Sequence, residues 1–280
     1  MTAGLASPRL GDLTWRDAER ARDAGAAVLF PMGSTEEHGP HSPMGDYLAA
    51  EEIAVRAARE GGDLVVPCLP YSYSEYFRDF PGTLSVTGPT LAAVVGEVVE
   101  CLLDQGFRHV VLVNGHKGND PALMMLVRTL RRTRGVFVPV TSPLGFGLDA
   151  GAKRLLYGDA AIGHGAEPMG SLMRHLFPHL AQPEAVESFG TGDFHGVPIG
   201  SLQSLAFEGS EVGLALHMSD AAPPSGSLAD PSLASDERGR AMADAAVGKL
   251  ARFVAWWKTV DPRVPEAGGP HPRAGDPATG

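Results

Sequence analysis

The stretch HVVLVNGHKGND, residues 109–120, decides how this chain is read. His109 to Val113 is a short, nearly unbroken apolar run, the pattern of a strand buried on both faces. It passes directly into a polar loop in which His116 stands between Gly115 and Lys117. Asp120 to Arg134 then places apolar residues at helical spacing, and Gly135 stands just past the end as a stop. Strand, polar loop and helix in succession form the repeating unit of a parallel α/β sheet.

The same unit stands upstream. Ala26 to Pro31 (AAVLFP) reads as a buried strand. It leads into GSTEEHGPHSPMGD, residues 33–46, and then into a helix expected over Asp46 to Arg59. Leu64 to Pro67 and Val136 to Val140 are expected as further strands. Thr90 to Gln105, His164 to Phe177 and Glu237 to Trp257 are expected as helices. The fold class is α/β, with a mostly parallel central sheet covered on both faces. Residues 1–260 are expected to form a single domain. Within it, residues 183–232, rich in Gly, Ser and Pro, are expected as long loops near the site. Residues 261–280 are expected to be a disordered tail.

Composition narrows the function. The chain has 280 residues, of which 44% are hydrophobic and 20% charged, and its formal charge is −10. An acidic balance argues against a nucleic-acid partner. No apolar run approaches the roughly eighteen residues of a membrane helix. The first residues lack the basic start and apolar core of a signal peptide. Cys68 and Cys101 are too few for a disulfide framework, so buried thiols in a reducing cytoplasm are expected.

In parallel sheets the chemistry gathers beyond the carboxyl ends of the strands, where both polar loops would lie. Glu36 and His38 are two apart, so an extended loop turns both side chains to one side. Asp46 follows at the start of a helix, and His116 arrives from another strand. Imidazole nitrogen and carboxylate oxygen suit Zn²⁺, Mn²⁺ and Fe²⁺. A carboxylate shared by two ions lets both act on one water. A hydrogen-bonded loop histidine and a plain helix cap at Asp46 would use the same residue types, and pattern alone leaves those readings open.

The motifs resemble those of a known family. GSTEEHGPH followed by PMGD is similar to the G-S-T-E-Q-H-G-P-H-L-P motif of the creatininase family, creatinine amidohydrolase and its relatives. FPGTLSV at 80–86, NGHKGN at 114–119 and HGAE at 164–167 agree with three further motifs in the same order. The resemblance spans about residues 26–172 and points to a member other than creatininase itself. It implies a three-layer α/β/α sandwich and two divalent ions, with Zn²⁺, Mn²⁺ or Fe²⁺ in different members. It implies that Glu36 and His116 bind one ion, His38 the other, and that Asp46 bridges them. Creatininase takes another ligand from a glutamate where Gly118 stands here. Glu167 is the implied substitute, and His164 the implied proton carrier. The implied activity is hydrolysis of an amide-type C–N bond in a small molecule by a metal-bound hydroxide. One family branch opens a ketone-bearing ring instead, another trims a peptide precursor, and a metal-retaining scaffold without catalysis is the third reading. Members are commonly homo-oligomers, creatininase being a hexamer, and a cytoplasmic location is expected.

Departures from the family pattern bear on the site. The loop from His38 to Asp46 is one residue shorter than usual, which raises His41 as an alternative ligand. Tyr76 stands where many members have histidine. Met169 replaces a glutamate. Lys117, beside a ligand, could meet a substrate carboxylate or phosphate and is counted with His164 among the catalytic candidates; a solvated loop lysine reads the same. His195, His217, Trp256 and Trp257 are read as structural.

Overall fold

Along the first strand, Val28, Phe30 and Met32 alternate with Ala27 and Leu29, and the two sets enter different cores. One strand therefore serves two layers, as the apolar run in the sequence requires. The computed structural model describes residues 5–264. Its central sheet has four parallel strands, β1 (Val28–Met32), β2 (Leu64–Val65), β3 (Val110–Asn114) and β4 (Val140–Thr141), in the order β2-β1-β3-β4.

Nine α-helices are found among the described residues. They are α1 (Trp15–Asp23), α2 (Asp46–Gly61), α3 (Gly88–Asp104), α4 (Asp120–Arg134), α5 (Pro143–Gly147), α6 (Ala150–Tyr157), α7 (Met169–Leu176), α8 (Met218–Ala221) and α9 (Asp236–Trp257). On one face of the sheet, Val28, Phe30, Val110 and Leu112 pack against Leu91 and Val95 of α3 and Leu123 and Leu130 of α4. On the other, Leu29, Val111 and Val113 pack against Ile53 of α2, Leu172 of α7 and Leu250 of α9. The result is a three-layer α/β/α sandwich, as the sequence implied. No described helix is long and apolar enough to cross a membrane.

Several boundaries differ from expectation. Residues 183–232 are not simply loops: they hold an antiparallel sheet of β5 (Asp193–Phe194), β6 (Val197–Ser201), β7 (Ser204–Phe207) and β8 (Ser210–Gly213). Two of its turns use His195–Gly196 and Glu208–Gly209, all four residues having positive φ. That is the geometry of two-residue hairpin turns, which Asn-Gly or Asp-Gly would have advertised more loudly. The helix expected from His164 begins only at Met169, because Gly165 takes φ 67° and Pro168 disfavours helix in the residue before it. Of the strand expected at 136–140, only Val140 lies in the sheet; Val136 instead bridges to Arg263. Phe137 N donates to Pro262 O and Val264 N to Gly135 O, so residues 261–264 of the expected tail lie against the sandwich. Residues 265–280 lie outside the described residues. Cys101 is exposed and Cys68 half-buried, so neither is the fully buried thiol expected.

Candidate metal centre

β1 and β3 are neighbours in register, Met32 opposite Asn114, so the loops that follow them leave the sheet side by side. Gly115 N donates to Met32 O at 2.8 Å and carries the pairing one step beyond the strands. The Asn114 side chain then shapes the second loop. It donates to His116 O and Asp120 Oδ1, and accepts from His116 N and the Asn119 amide. This is the local reason for the asparagine of NGH.

His116 is 5% exposed. Its Nε2 donates to the main-chain carbonyl of Tyr73 at 2.9 Å. That bond fixes the ring and turns Nδ1 to the site, the usual device for a ligating histidine. Nδ1 lies 3.0 Å from Asp46 Oδ2 and 3.1 Å from Glu36 Oε1. The bond to Tyr73 needs glycine at 118, since a Cβ there would fall 2.4 Å from His116 Nε2 and 2.7 Å from Tyr73 O. Position 118 is thus the space that lets His116 be oriented.

Asp46 opens α2 but does not act as its cap. Gly45 is the cap residue, while Asp46 Oδ1 takes the N–H of Ser34 from the facing loop. Glu36 Oε2 accepts the hydroxyl of Ser74 at 2.6 Å, and Ser74 also contacts Ser34. His38 directs Nδ1 to Glu36 O at 3.2 Å and presents Nε2 3.6 Å from Glu36 Oε1. Two donor groups result: Glu36, Asp46 and His116, and Glu36, His38 and His164, each with ligand atoms within 4.8 Å of one another. Glu36 is common to both.

The motif FPGTLSV supports these loops. Thr83 Oγ1 accepts from Glu37 N at 3.2 Å, and Ser85 Oγ accepts from Ser74 N at 3.1 Å. Neither touches a ligand atom, yet each pins a segment that does.

The charges are mutually dependent. Burial alone would raise the carboxyl of Glu36, but His116, with His38 and His164, holds it down to about 2. Burial would strip the proton from His116, yet Glu36 and Asp46 keep it protonated well above the ordinary histidine range. His38 is pushed down by burial and by His164. Buried carboxylates need a cation, and here a protonated imidazole fills that need. The donor set, carboxylate oxygen and imidazole nitrogen on converging loops, fits a borderline divalent ion.

The remaining sequence candidates are placed as follows. His164 lies beside Glu36 and His38, stacked between Phe77 at 4.0 Å and His38 at 4.8 Å. Lys117 is exposed on the wall of the cleft above the site. Glu167 is fully buried and lines the same cleft, but belongs to neither donor group; its oxygens accept from Tyr157 at 2.7 Å and Ser171 at 2.6 Å. His41 is buried beside a separate cavity of about 350 Å³ and joins neither group. His217 meets Asp79 at 3.2 Å, a structural contact. Tyr73, Ser74 and Glu37 were not singled out from the sequence. Tyr73 contributes only a main-chain oxygen, which no residue type encodes.

The cleft encloses about 1120 Å³. The donor groups form its floor, and Ile199, Leu202 and Ser204 of the antiparallel sheet belong to its lining. Gln203 reaches across to the hydroxyl of Tyr76 at 3.2 Å.

An α/β sandwich with buried carboxylate–histidine groups at the carboxyl edge of its sheet has the build of a metal-dependent hydrolase. The chain matches the sequence profile of the creatininase family, described as creatinine amidohydrolase, over residues 11–254, and it belongs to that family. It is 34% identical to creatinine amidohydrolase of Pseudomonas putida over 194 residues, 63% of this chain and 75% of that protein. It is 29% identical to the mycofactocin precursor peptide peptidase of Mycobacterium ulcerans over 265 residues, 88% and 93% of the two chains. A crystal structure of creatininase superposes with a TM-score of 0.72 at 28% identity, covering 90% of this chain and 98% of that one. Solved creatininases include a manganese form and a Zn-Zn form. The protein is thus a hydrolase of the creatininase family with a candidate metal site.

Proposed function

We propose that the protein hydrolyses an amide-type C–N bond of a small molecule, using two divalent ions held by Glu36, His38, Asp46 and His116. The observation that carries this reading is the pair of buried donor groups meeting at Glu36 on the floor of an open cleft. Glu167, on the same cleft, completes the ligand set in this reading. Bound Zn²⁺, Mn²⁺ or Fe²⁺ would supply Lewis-acid polarisation of a carbonyl and a water acidified toward neutral pH.

The chain's own groups do the rest. Glu36 stays ionised, and Ser74 and the Ser34 N–H hold the carboxylates of Glu36 and Asp46 in place. His164 carries the proton. Burial lowers its affinity for one, but Glu37 and Glu36 raise it above the ordinary value, so a proton taken up is retained until the departing nitrogen receives it. Phe77 covers one face of that ring and excludes water there. The exposed Trp256, packed near Phe253 on α9, supports assembly into a homo-oligomer, with hexamers as the family precedent. The reading places the protein in the cytoplasm.

The test is metal analysis together with a panel of lactams, formamides, short peptides and inososes. Two ions per chain are expected, with activity on an amide lost to a chelator and restored by Mn²⁺ or Zn²⁺. Full turnover by metal-free protein sinks the proposal. Lys117 adds a narrower expectation. Among the described residues it is the only lysine or arginine lining the cleft, so it should favour substrates bearing a carboxylate. Lys117→Met should raise KM for a carboxylated amide about tenfold, the scale of one charge-assisted contact, and leave its neutral analogue unchanged. Equal effects on both compounds would remove Lys117 from recognition.

A further inference from the structure

A second recess, of about 350 Å³, shares no lining residue with the cleft. His41 stands in its wall and is 6% exposed. The residue is firmly seated: its main-chain oxygen accepts from Gln182 N at 2.9 Å, and a Cβ at position 39 would fall 2.5 Å from its Cε1. Yet neither ring nitrogen makes a hydrogen bond among the described residues, and the Gly165 carbonyl approaches the ring without the geometry of one. The Ser42 hydroxyl, in the same wall, is buried and unbonded as well. Arg174 of α7 also lines the recess. It spends one N–H on Ala234 O at 3.1 Å and has four more to offer.

Folded proteins pair nearly all buried polar groups, so three under-used ones in a single wall call for an occupant. One water takes up about 30 Å³ of liquid, about a tenth of this space. Met173, Pro183 and Val186 make another part of the wall apolar, which suits a ligand with an apolar body better than a pool of water. Imidazole N–H, hydroxyl and guanidinium are all donors, and a carboxylate is the acceptor they hold best. We infer that this recess binds a small aliphatic carboxylate, with its head on His41, Ser42 and Arg174 and its body against Met173 and Val186. Glu184, exposed in the same wall, is its one acidic residue and opposes such a ligand. Helix α7 serves both sites: Met173 and Arg174 line the recess, Met169 lines the cleft, and Ser171 holds Glu167. The recess stands apart from the hydrolytic reading and is tested without it.

The experiment titrates isovalerate into full-length, zinc-loaded protein carrying ¹³C-methyl methionine, with Met173→Leu and Met169→Leu spectra for assignment. The Met173 signal should shift saturably, with a Kd of about 1 mM or below, the scale of a ligand of this size. Any response of Met169 should follow a different midpoint, that of carboxylate reaching the zinc. Isoamyl alcohol, which keeps the body and lacks the charge, should bind about tenfold more weakly or not at all. Arg174→Met should weaken isovalerate by about tenfold or more, and Glu184→Gln should tighten it. His41→Phe keeps a ring and removes both nitrogens. It should weaken binding at least as much while zinc content stays the same, and if that variant fails to fold, Arg174→Met carries the test. No saturable shift of Met173, one midpoint shared by both methionines, equal affinity for the alcohol, or an Arg174→Met protein that binds as wild type does would each overturn the inference.

Discussion

His116→Ala is expected to release the bound ions and to lower kcat/KM by about a thousandfold or more. Its Nδ1 is the only nitrogen in the group that holds Glu36 and Asp46, with carboxylate oxygens at 3.1 and 3.0 Å. Without the imidazole, two buried carboxylates face each other with no compensating charge. One must take up a proton or the loop must open, and either change removes a ligand. Metal assistance is worth several kcal/mol of transition-state stabilisation, and about 4 kcal/mol corresponds to a thousandfold. Glu36→Ala should do at least as much, because Glu36 belongs to both groups. Metal content and turnover should fall together. A His116→Ala protein that kept its ions and its rate would show that the ligand set is wrong.

Gly239→Ala is expected to destabilise the fold by about 1–2 kcal/mol, although alanine is the better helix former. The glycine lies in α9 where that helix crosses α7, and it is buried. A Cβ there would fall 2.0 Å from the main-chain oxygen of Ser171 and 2.6 Å from the Cβ of His175. Alanine gains about 1 kcal/mol over glycine in a helix interior. Overpacking costs about 1–3 kcal/mol and sometimes more, and here the obstacle is backbone, which cannot rotate away. The clash therefore decides the sign. Gly248→Ala in the same helix is the control. Its Cβ would meet only the end of the Arg252 side chain, at 3.2 Å, so stabilisation is expected there. Urea midpoints at constant m separate the two outcomes. Stabilisation by both substitutions would show that α7 and α9 are not in such close contact. The first substitution also reaches the cleft, because Ser171 Oγ holds Glu167 and accepts Ser235 N.

The parts of this arrangement that could be read in advance share one property: the residue type itself does the work. β1 and β3 are legible because each is buried on both faces, which forces a continuous apolar run. Glu36, His38, Asp46 and His116 are legible as a group because the proposed ligand chemistry calls for those side chains, and the parallel sheet brings their loops together. Asp46 stands at the end of a loop one residue shorter than the family pattern, and it reaches His116. The partners of Glu167 are another matter: the motif singles out the carboxylate, but nothing in it announces the hydrogen bonds from Tyr157 and Ser171 that hold it. The Tyr73 carbonyl could not be read at all, since any residue supplies one. The strands at 193–213 were missed for a related reason. Strand β8 is exposed along its whole length, so no alternation marks it. Helix α5 occupies a short Pro- and Gly-rich stretch, PLGFG, whose intrinsic preference argues against it.

The antiparallel sheet has a consequence of its own. Its apolar cluster, centred on Ile199, Leu216 and Ala221, is separate from the two clusters that build the sandwich. Yet Ile199, Leu202 and Ser204 face the same cleft as the ligand loops. Part of the cleft lining is thus packed independently of the loops that carry the donor groups. Substitutions at Ile199, Leu202 or Ser204 are expected to alter the cleft wall while the sandwich beneath keeps its packing. A lineage could exchange its diet by redrafting some twenty residues and leave its chemistry untouched.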